Sequence, residues 1–81
     1  MEGFAHHGHY VVLDPRESGG AWEAHVEVIV HAKGQTERIN YHDHVKRHPT
    51  REAALEASRE LGKMAVENFI VPASGEGDYQ A

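Results

Sequence analysis

The sequence predicts an α+β fold: a three-stranded antiparallel β-meander with one C-terminal helix packed on one face, a βββα arrangement. Two segments alternate apolar and polar residues with the period of a half-buried strand, and a shorter apolar segment precedes them. A later segment spaces its apolar residues like one face of a helix. Because 81 residues suffice for one domain, we assign residues 9–71 to a single βββα domain, 1–8 to a flexible N-terminal arm and 72–81 to a disordered tail.

The first strand is predicted at residues 10–13, a short apolar run that Asp14-Pro15 ends. Ser18-Gly19-Gly20 then marks a loop. The residues before the run show no periodicity, which favours a flexible arm with Phe4 as its one large apolar side chain.

The second and third strands are predicted at residues 22–31 and 36–45, joined by a turn at Lys33-Gly34. Two registers keep their apolar faces aligned, and both stay open. A two-residue turn pairs Val28 with Ile39, whereas a slip of two residues pairs Val30 with Ile39. A slip of one residue is disfavoured because it places polar side chains against the apolar face.

The helix is predicted to begin after Pro49, with Thr50 as its N-cap and Glu52 in its first turn. Gly62 within it indicates close packing on the sheet, since glycine otherwise weakens a helix by about 1 kcal/mol. The predicted buried stripe consists of Ala54, Ala57, Leu61, Met64, Ala65 and Asn68 or Phe69.

Composition favours a soluble, cytoplasmic protein. The chain has no cysteine, no basic and apolar start typical of a signal peptide, and no apolar run as long as a membrane span. Its net charge of −5 argues against strong nonspecific binding of nucleic acid by the chain as a whole. Protonation of all eight histidines would bring the charge to +3, so its sign is expected to change in mildly acid solution.

The strongest candidate metal ligands are His25, His42 and His44. Strand alternation places all three on the sheet face that the helix leaves open, where they can bind zinc or nickel. The alternatives are a solvated polar face and a pH-dependent assembly. His6-His7-Gly8-His9 offers adventitious chelation, or is simply part of the arm.

The candidate anion or nucleic-acid site lies in a basic segment, residues 33–51, where five basic residues outnumber two acidic ones between acidic flanks. Positive charge beside a helix N-terminus suits a phosphate. Nucleic acid is a possible partner but not the favoured one, because Trp22 and Tyr41 fall on the buried face and cannot stack on bases. The alternative is a solvated basic turn. The candidate residues are Lys46, Arg47, His48, Arg51 and Arg38.

The sequence has no glycine-rich phosphate loop, no Gly-x-Ser-x-Gly motif and no thiol, so we predict neither enzyme activity nor a cofactor. The leading interpretation is a small binding module. A thin core and unprotected sheet edges favour a homodimer, and another protein is a second possible partner.

Three stretches carry a resemblance: Gly8-His9-Tyr10-Val11-Val12, residues 22–28, and residues 50–57 with Gly62-Lys63. Together with the element order they resemble a group of small uncharacterised bacterial proteins. The layout is more distantly similar to half-folds of HicB-type antitoxins and to double-stranded-RNA-binding-like domains. The resemblance implies a bacterial source, and the antitoxin comparison implies a toxin as partner.

Overall fold

The computed structural model describes residues 2–32 and 34–74, which form one antiparallel sheet and a C-terminal helical run. The α+β class, the antiparallel sheet and the single C-terminal helix are as predicted, but the sheet has five strands and not three. The elements are β1 (Gly3–His6), β2 (His9–Leu13), β3 (Arg16–Ser18), β4 (Ala21–Ala32), β5 (Gln35–His48), α1 (Arg51–Ala65), a π-helical segment (Val66–Ile70) and α2 (Val71–Ser74).

β2 and β3 are two parts of one line of chain along the same side of β4. Tyr10 pairs with Ile29 in β2, and Arg16 pairs with Glu23 in β3, which is the same register on either side of a break. The break falls at Asp14-Pro15, where proline has no N–H to donate. The predicted end of the first strand is therefore an interruption. The predicted loop at Ser18-Gly19-Gly20 is a turn at Gly19-Gly20, while Ser18 ends β3.

β1 forms from residues that we predicted to be a flexible arm. It pairs with β2 through a two-residue turn at His7 and Gly8, both of which have positive φ. Phe4 packs against the hydrophobic core. The arm prediction was wrong because four residues carry too little pattern of their own, and β2 supplies their hydrogen-bonding partner.

β4 and β5 pair in the first of the two predicted registers, with Val28 opposite Ile39 and Val26 opposite Tyr41. The turn residue Gly34 has φ of 75°, while Lys33 lies outside the described residues. The register shifts beyond Asp43, so that Trp22 pairs with His48. His44 and Val45 are therefore absent from the described ladder, since β5 carries a bulge there.

α1 begins as predicted, with Thr50 Oγ1 accepting a hydrogen bond from the N–H of Ala53 at 3.1 Å. Ala54 and Ala65 of the predicted stripe are buried, whereas Met64 and Phe69 are exposed. The buried stripe runs through small residues and then two larger ones: Ala54, Ser58, Gly62 and Ala65, followed by Val66 and Ile70. A Cβ on Gly62 would overlap a methyl group of Val11, which confirms the close packing predicted there. Because the side chains on this face of α1 are small, the helix lies close to the sheet. The larger side chains of Met64 and Phe69 lie at the edge of the contact between helix and sheet.

The helical run continues past Pro72 to Ser74, within the predicted tail; the rest of that tail, residues 75–81, lies outside the described part. In the π-helical segment the N–H of Val71 donates to the carbonyl of Val66, five residues back. This wider turn leaves room for the proline ring, which clashes with the preceding turn of an ordinary α-helix. No helix in the described part has the length and apolar character that a membrane crossing needs.

Candidate functional site

The outer side of β5 is the longest free edge of the sheet. Asp14 N–H donates to the carbonyl of His25 (2.9 Å), and His31 N–H donates to Nδ1 of His9 (3.0 Å). These two β4 residues therefore direct their backbone groups away from β5. Because directions alternate along a strand, the intervening β4 residues point toward β5.

The pairing of β4 with β5 identifies the β5 residues whose backbone groups point away from β4. Ile39 and Tyr41 pair with β4 residues whose backbone groups point toward β5, so their own N–H and C=O groups bond to β4. The N–H and C=O groups of the alternate residues face away from β4: Thr36, Arg38, Asn40 and His42. In the described ranges, no strand pairs with this side of β5.

This edge lacks some of the features that usually block pairing between sheets. Residues 35–43 contain neither proline nor lysine, and one arginine stands against Glu37 and Asp43. The regular run ends at the bulge, where Asp43 Oδ1 accepts hydrogen bonds from the N–H groups of Val45 (3.0 Å) and Lys46 (3.3 Å). The edge is therefore nine residues long, close to neutral and bounded by a side-chain-stabilised bulge.

An apolar rim follows the same edge on the helix-covered face. The rings of Tyr41 and Phe69 stack with centroids 5.8 Å apart and planes at 22°. Phe69 is 49% exposed and Met64 is 38% exposed. Burial raises the pKa of the Tyr41 hydroxyl above its ordinary value of 10.0. Met64, Leu61 and Asp43 also line a depression of about 390 Å³ near the bulge.

The structure places the three predicted histidine ligands near one another on the open face. The rings of His25 and His42 stack at 5.2 Å, and those of His42 and His44 lie 5.3 Å apart at 39°. Glu23 Oε1 lies 3.5 Å from Nε2 of His25, and its other oxygen accepts from Arg47 at 3.0 Å. Stacked rings hold their nitrogens side by side, which suits a stabilised polar face more than convergence on one ion.

The predicted anion-binding residues are distributed among carboxylates. Arg38 pairs with Glu27 at 3.3 Å, and Arg51 pairs with Glu2 at 3.3 Å. Arg47, besides its contact with Glu23, donates to the carbonyl oxygen of Ser18. His48 is half-buried opposite Trp22, and Lys46 lines the depression near the bulge. The basic segment therefore supplies charge to several separate ion pairs and does not form one cluster.

Sequence reasoning missed Phe69 and Met64 as surface residues because their helical spacing assigned them to the buried stripe. Small residues were the available signal: Ser58 and Gly62 repeat at four-residue spacing, which marks the side of close approach. The link between Phe69 and Tyr41 depends on the helix position and has no local signature.

Comparison of the chain with protein-family models, curated proteins and solved structures returned no match.

Proposed function

We propose that this chain is a small, non-catalytic interaction module that works as a homodimer, joined along the outer edge of β5. The observation that carries the proposal is the nine-residue run 35–43, whose outward backbone groups have no strand partner in the described structure. A second copy supplies the complementary groups in antiparallel orientation.

A second copy suits the edge better than an arbitrary protein. In an antiparallel pair related by a two-fold axis perpendicular to the sheet, both helices lie on the same face. The Tyr41–Phe69 stacks of the two copies then approach one another beside the shared strands. The net charge of the run is −1, from one arginine against Glu37 and Asp43, so its self-pairing meets little repulsion even though each chain carries −5.

The bulge limits how far the two strands pair. Beyond Asp43 the chain leaves the regular ladder, and Lys46 and Arg47 follow. Lysine and bulges are common protections of sheet edges against open-ended pairing. This arrangement supports a closed dimer and disfavours a growing fibre.

The test is the mass in solution, measured by sedimentation equilibrium at micromolar to high micromolar concentration. We expect a mass of twice the 9.0 kDa of one chain. Asn40→Pro should yield a monomer, because it removes an outward N–H without removing a bond to β4. Asn40→Ala is the matched control and should remain dimeric, since the backbone donor is retained.

A second variant covers the event that the proline disturbs the strand. Phe69 lies in the helical run and not in β5. Phe69→Ser is expected to raise the Kd of the dimer roughly tenfold, as the loss of an aromatic residue from an interface does. A wild-type monomer at high micromolar concentration overturns the proposal, as does an Asn40→Pro variant that is folded and dimeric. A monomer that instead pairs with a different protein also overturns it.

A further inference from the structure

A second group of side chains lies at the opposite edge of the sheet, at the turn between β1 and β2. His6 and His9 pair across the hairpin, and His7 and Gly8 form the turn with φ of 53° and 79°. Two successive positive φ values define the tight type I′ turn. His7 is the one residue other than glycine with positive φ in the described ranges, a conformation that is uncommon and mildly unfavourable for an L-residue.

The turn brings two adjacent imidazoles together. Neighbouring residues of a regular strand point to opposite faces, which would separate His6 from His7. With the positive φ at His7, the two rings instead lie 4.5 Å apart with planes at 67°. The positive φ of His7 therefore places the imidazoles of two adjacent residues side by side.

Glu67, which is distant in sequence, lies beside these rings in the fold. Its Oε2 lies 2.7 Å from Nε2 of His6, across 61 residues of sequence. Glu67 belongs to the π-helical segment, a rare conformation that occurs frequently at functional sites. A strained turn and a widened helix thus meet at one point, and each contributes a side chain able to bind a metal.

From this geometry we propose that His6, His7 and Glu67 bind a divalent transition-metal ion, with zinc as the best fit. One ligand atom from each residue can be chosen so that all three lie within 4.8 Å of one another. Tetrahedral zinc with bonds of about 2.0–2.1 Å needs ligand atoms roughly 3.4 Å apart, which modest side-chain rotations achieve. Imidazole nitrogen is a borderline ligand that suits zinc, zinc also accepts a carboxylate oxygen, and the fourth position is left for water.

The exposure of the group suits reversible binding. The side chain of His6 is 23% exposed and that of Glu67 is 50% exposed, so an ion can enter without unfolding of the hairpin. The site is separate from the β5 edge, because β1 and β5 lie at opposite sides of the sheet. The zinc proposal therefore stands or falls independently of the proposed dimer.

The test uses the full chain, titrated with zinc by calorimetry at neutral pH, with histidine side-chain NMR to locate the ion. We expect one zinc per chain and shifts of the His6 and His7 imidazole signals. His7→Asn removes a ligand but preserves the turn, because asparagine adopts positive φ readily. Glu67→Gln keeps the side-chain size and removes the charge. Each change should weaken zinc affinity at least tenfold, since even outer-shell changes cost about 10–100-fold.

His42→Asn and His44→Asn are the matched controls, because they remove imidazoles from the open face of the sheet. Zinc affinity should be unchanged in both. Absence of saturable binding to the wild-type chain at about 100-micromolar zinc, a dissociation constant weaker than those of calcium sensors and at the tight end for extracellular calcium modules, overturns the proposal. Equal affinity in wild type and Glu67→Gln also overturns it, as does a loss of binding confined to the two control variants.

Discussion

Tyr41 lies where the sheet, the helix and the free edge meet, and its hydroxyl has a raised pKa because burial disfavours the phenolate. The folded chain therefore holds this proton more tightly than the unfolded chain does. The resulting stabilisation is fully present below about pH 10, the unfolded pKa, and is lost as the pH rises through the higher folded value.

We expect the urea midpoint of the wild-type protein to fall above about pH 10 more steeply than that of Tyr41→Phe, which has no hydroxyl to ionise. Ultraviolet titration at a fixed protein concentration should also lose its most alkaline tyrosine component in the variant. Identical alkaline slopes in the two proteins would contradict this assignment.

Ser58 illustrates how one small polar residue completes the sheet. At the break between β2 and β3, the carbonyl of His25 accepts from Asp14, but the N–H of His25 donates to Ser58 Oγ at 3.2 Å. Ser58 is fully buried. An unsatisfied donor at this position would cost about 1–3 kcal/mol, so the helix supplies the bond that the interrupted strand lacks.

Among the elements, α1 is fixed to the sheet most tightly at Gly62. A Cβ there would overlap a methyl group of Val11, whose β-branched side chain has little freedom to move. Gly62→Ala should therefore destabilise the fold by about 1–3 kcal/mol through overpacking, despite the gain of about 1 kcal/mol in helix propensity.

Chemical denaturation of a mutant cycle with Val11→Ala measures this contact. The added methyl should be much less harmful in the double variant, since Val11→Ala removes the atoms that it would overlap. If Gly62→Ala stabilises the wild-type chain by about 1 kcal/mol, as at a solvent-exposed helix position, the inferred close packing of Gly62 on Val11 is wrong.

The elements also separate what sequence can predict from what it cannot. β4 was predictable because ten residues alternate in polarity. Aligned apolar faces reduced its register with β5 to two alternatives, and the structure adopts the one that pairs Val28 with Ile39. β3 was not predictable, since all three of its residues are exposed and polar and its only partner is β4. The helix face was misassigned because hydrophobicity ranks Met64 above Ser58, whereas close packing reverses that order.

The same division applies to the candidate sites. The position of His25, His42 and His44 on one open face followed from strand alternation, which is a periodic property, whereas the pairing of His25 with His42 depends on which of the two registers is adopted. Glu67 could not be connected with His6 and His7, because their meeting depends on an unpredicted strand, a turn with positive φ and a π-helical segment. The edge position of β5 followed from the predicted meander, in which the third strand is an edge, whereas β1, which covers the other side of β2, was not predicted.

At the scale of the whole molecule, the described residues form two layers, a sheet and a helical run, and leave the second face of the sheet uncovered. Its extents are 45 × 21 × 15 Å, and the smallest is about that of a sheet plus one layer of helix. The stability of the fold must therefore come from burial of one sheet face beneath the helix and from hydrogen bonds between neighbouring strands. Both demands involve β1, which extends the sheet and places Phe4 beside the helix.

Deletion of residues 2–6, with Met1 retained, tests this role of β1. It removes Phe4, over whose ring the guanidinium of Arg59 lies at 5.8 Å, and it removes the carbonyl of Glu2 that accepts from Leu13 at 2.9 Å. Since partial burial of one phenylalanine and several ladder bonds are lost together, we expect a loss of at least about 2 kcal/mol in the free energy of unfolding.

Phe4→Ala should reproduce part of that loss, whereas Ala5→Ser, on the exposed side of β1, should be nearly neutral. Urea denaturation and amide exchange of the β2 residues give the measurement. If residues 2–6 made no contacts with the domain, their deletion would leave both the free energy of unfolding and the amide exchange of the β2 residues unchanged. A large loss instead means that the first residues form the outer strand, because β2 without β1 is an edge whose backbone groups exchange freely with water.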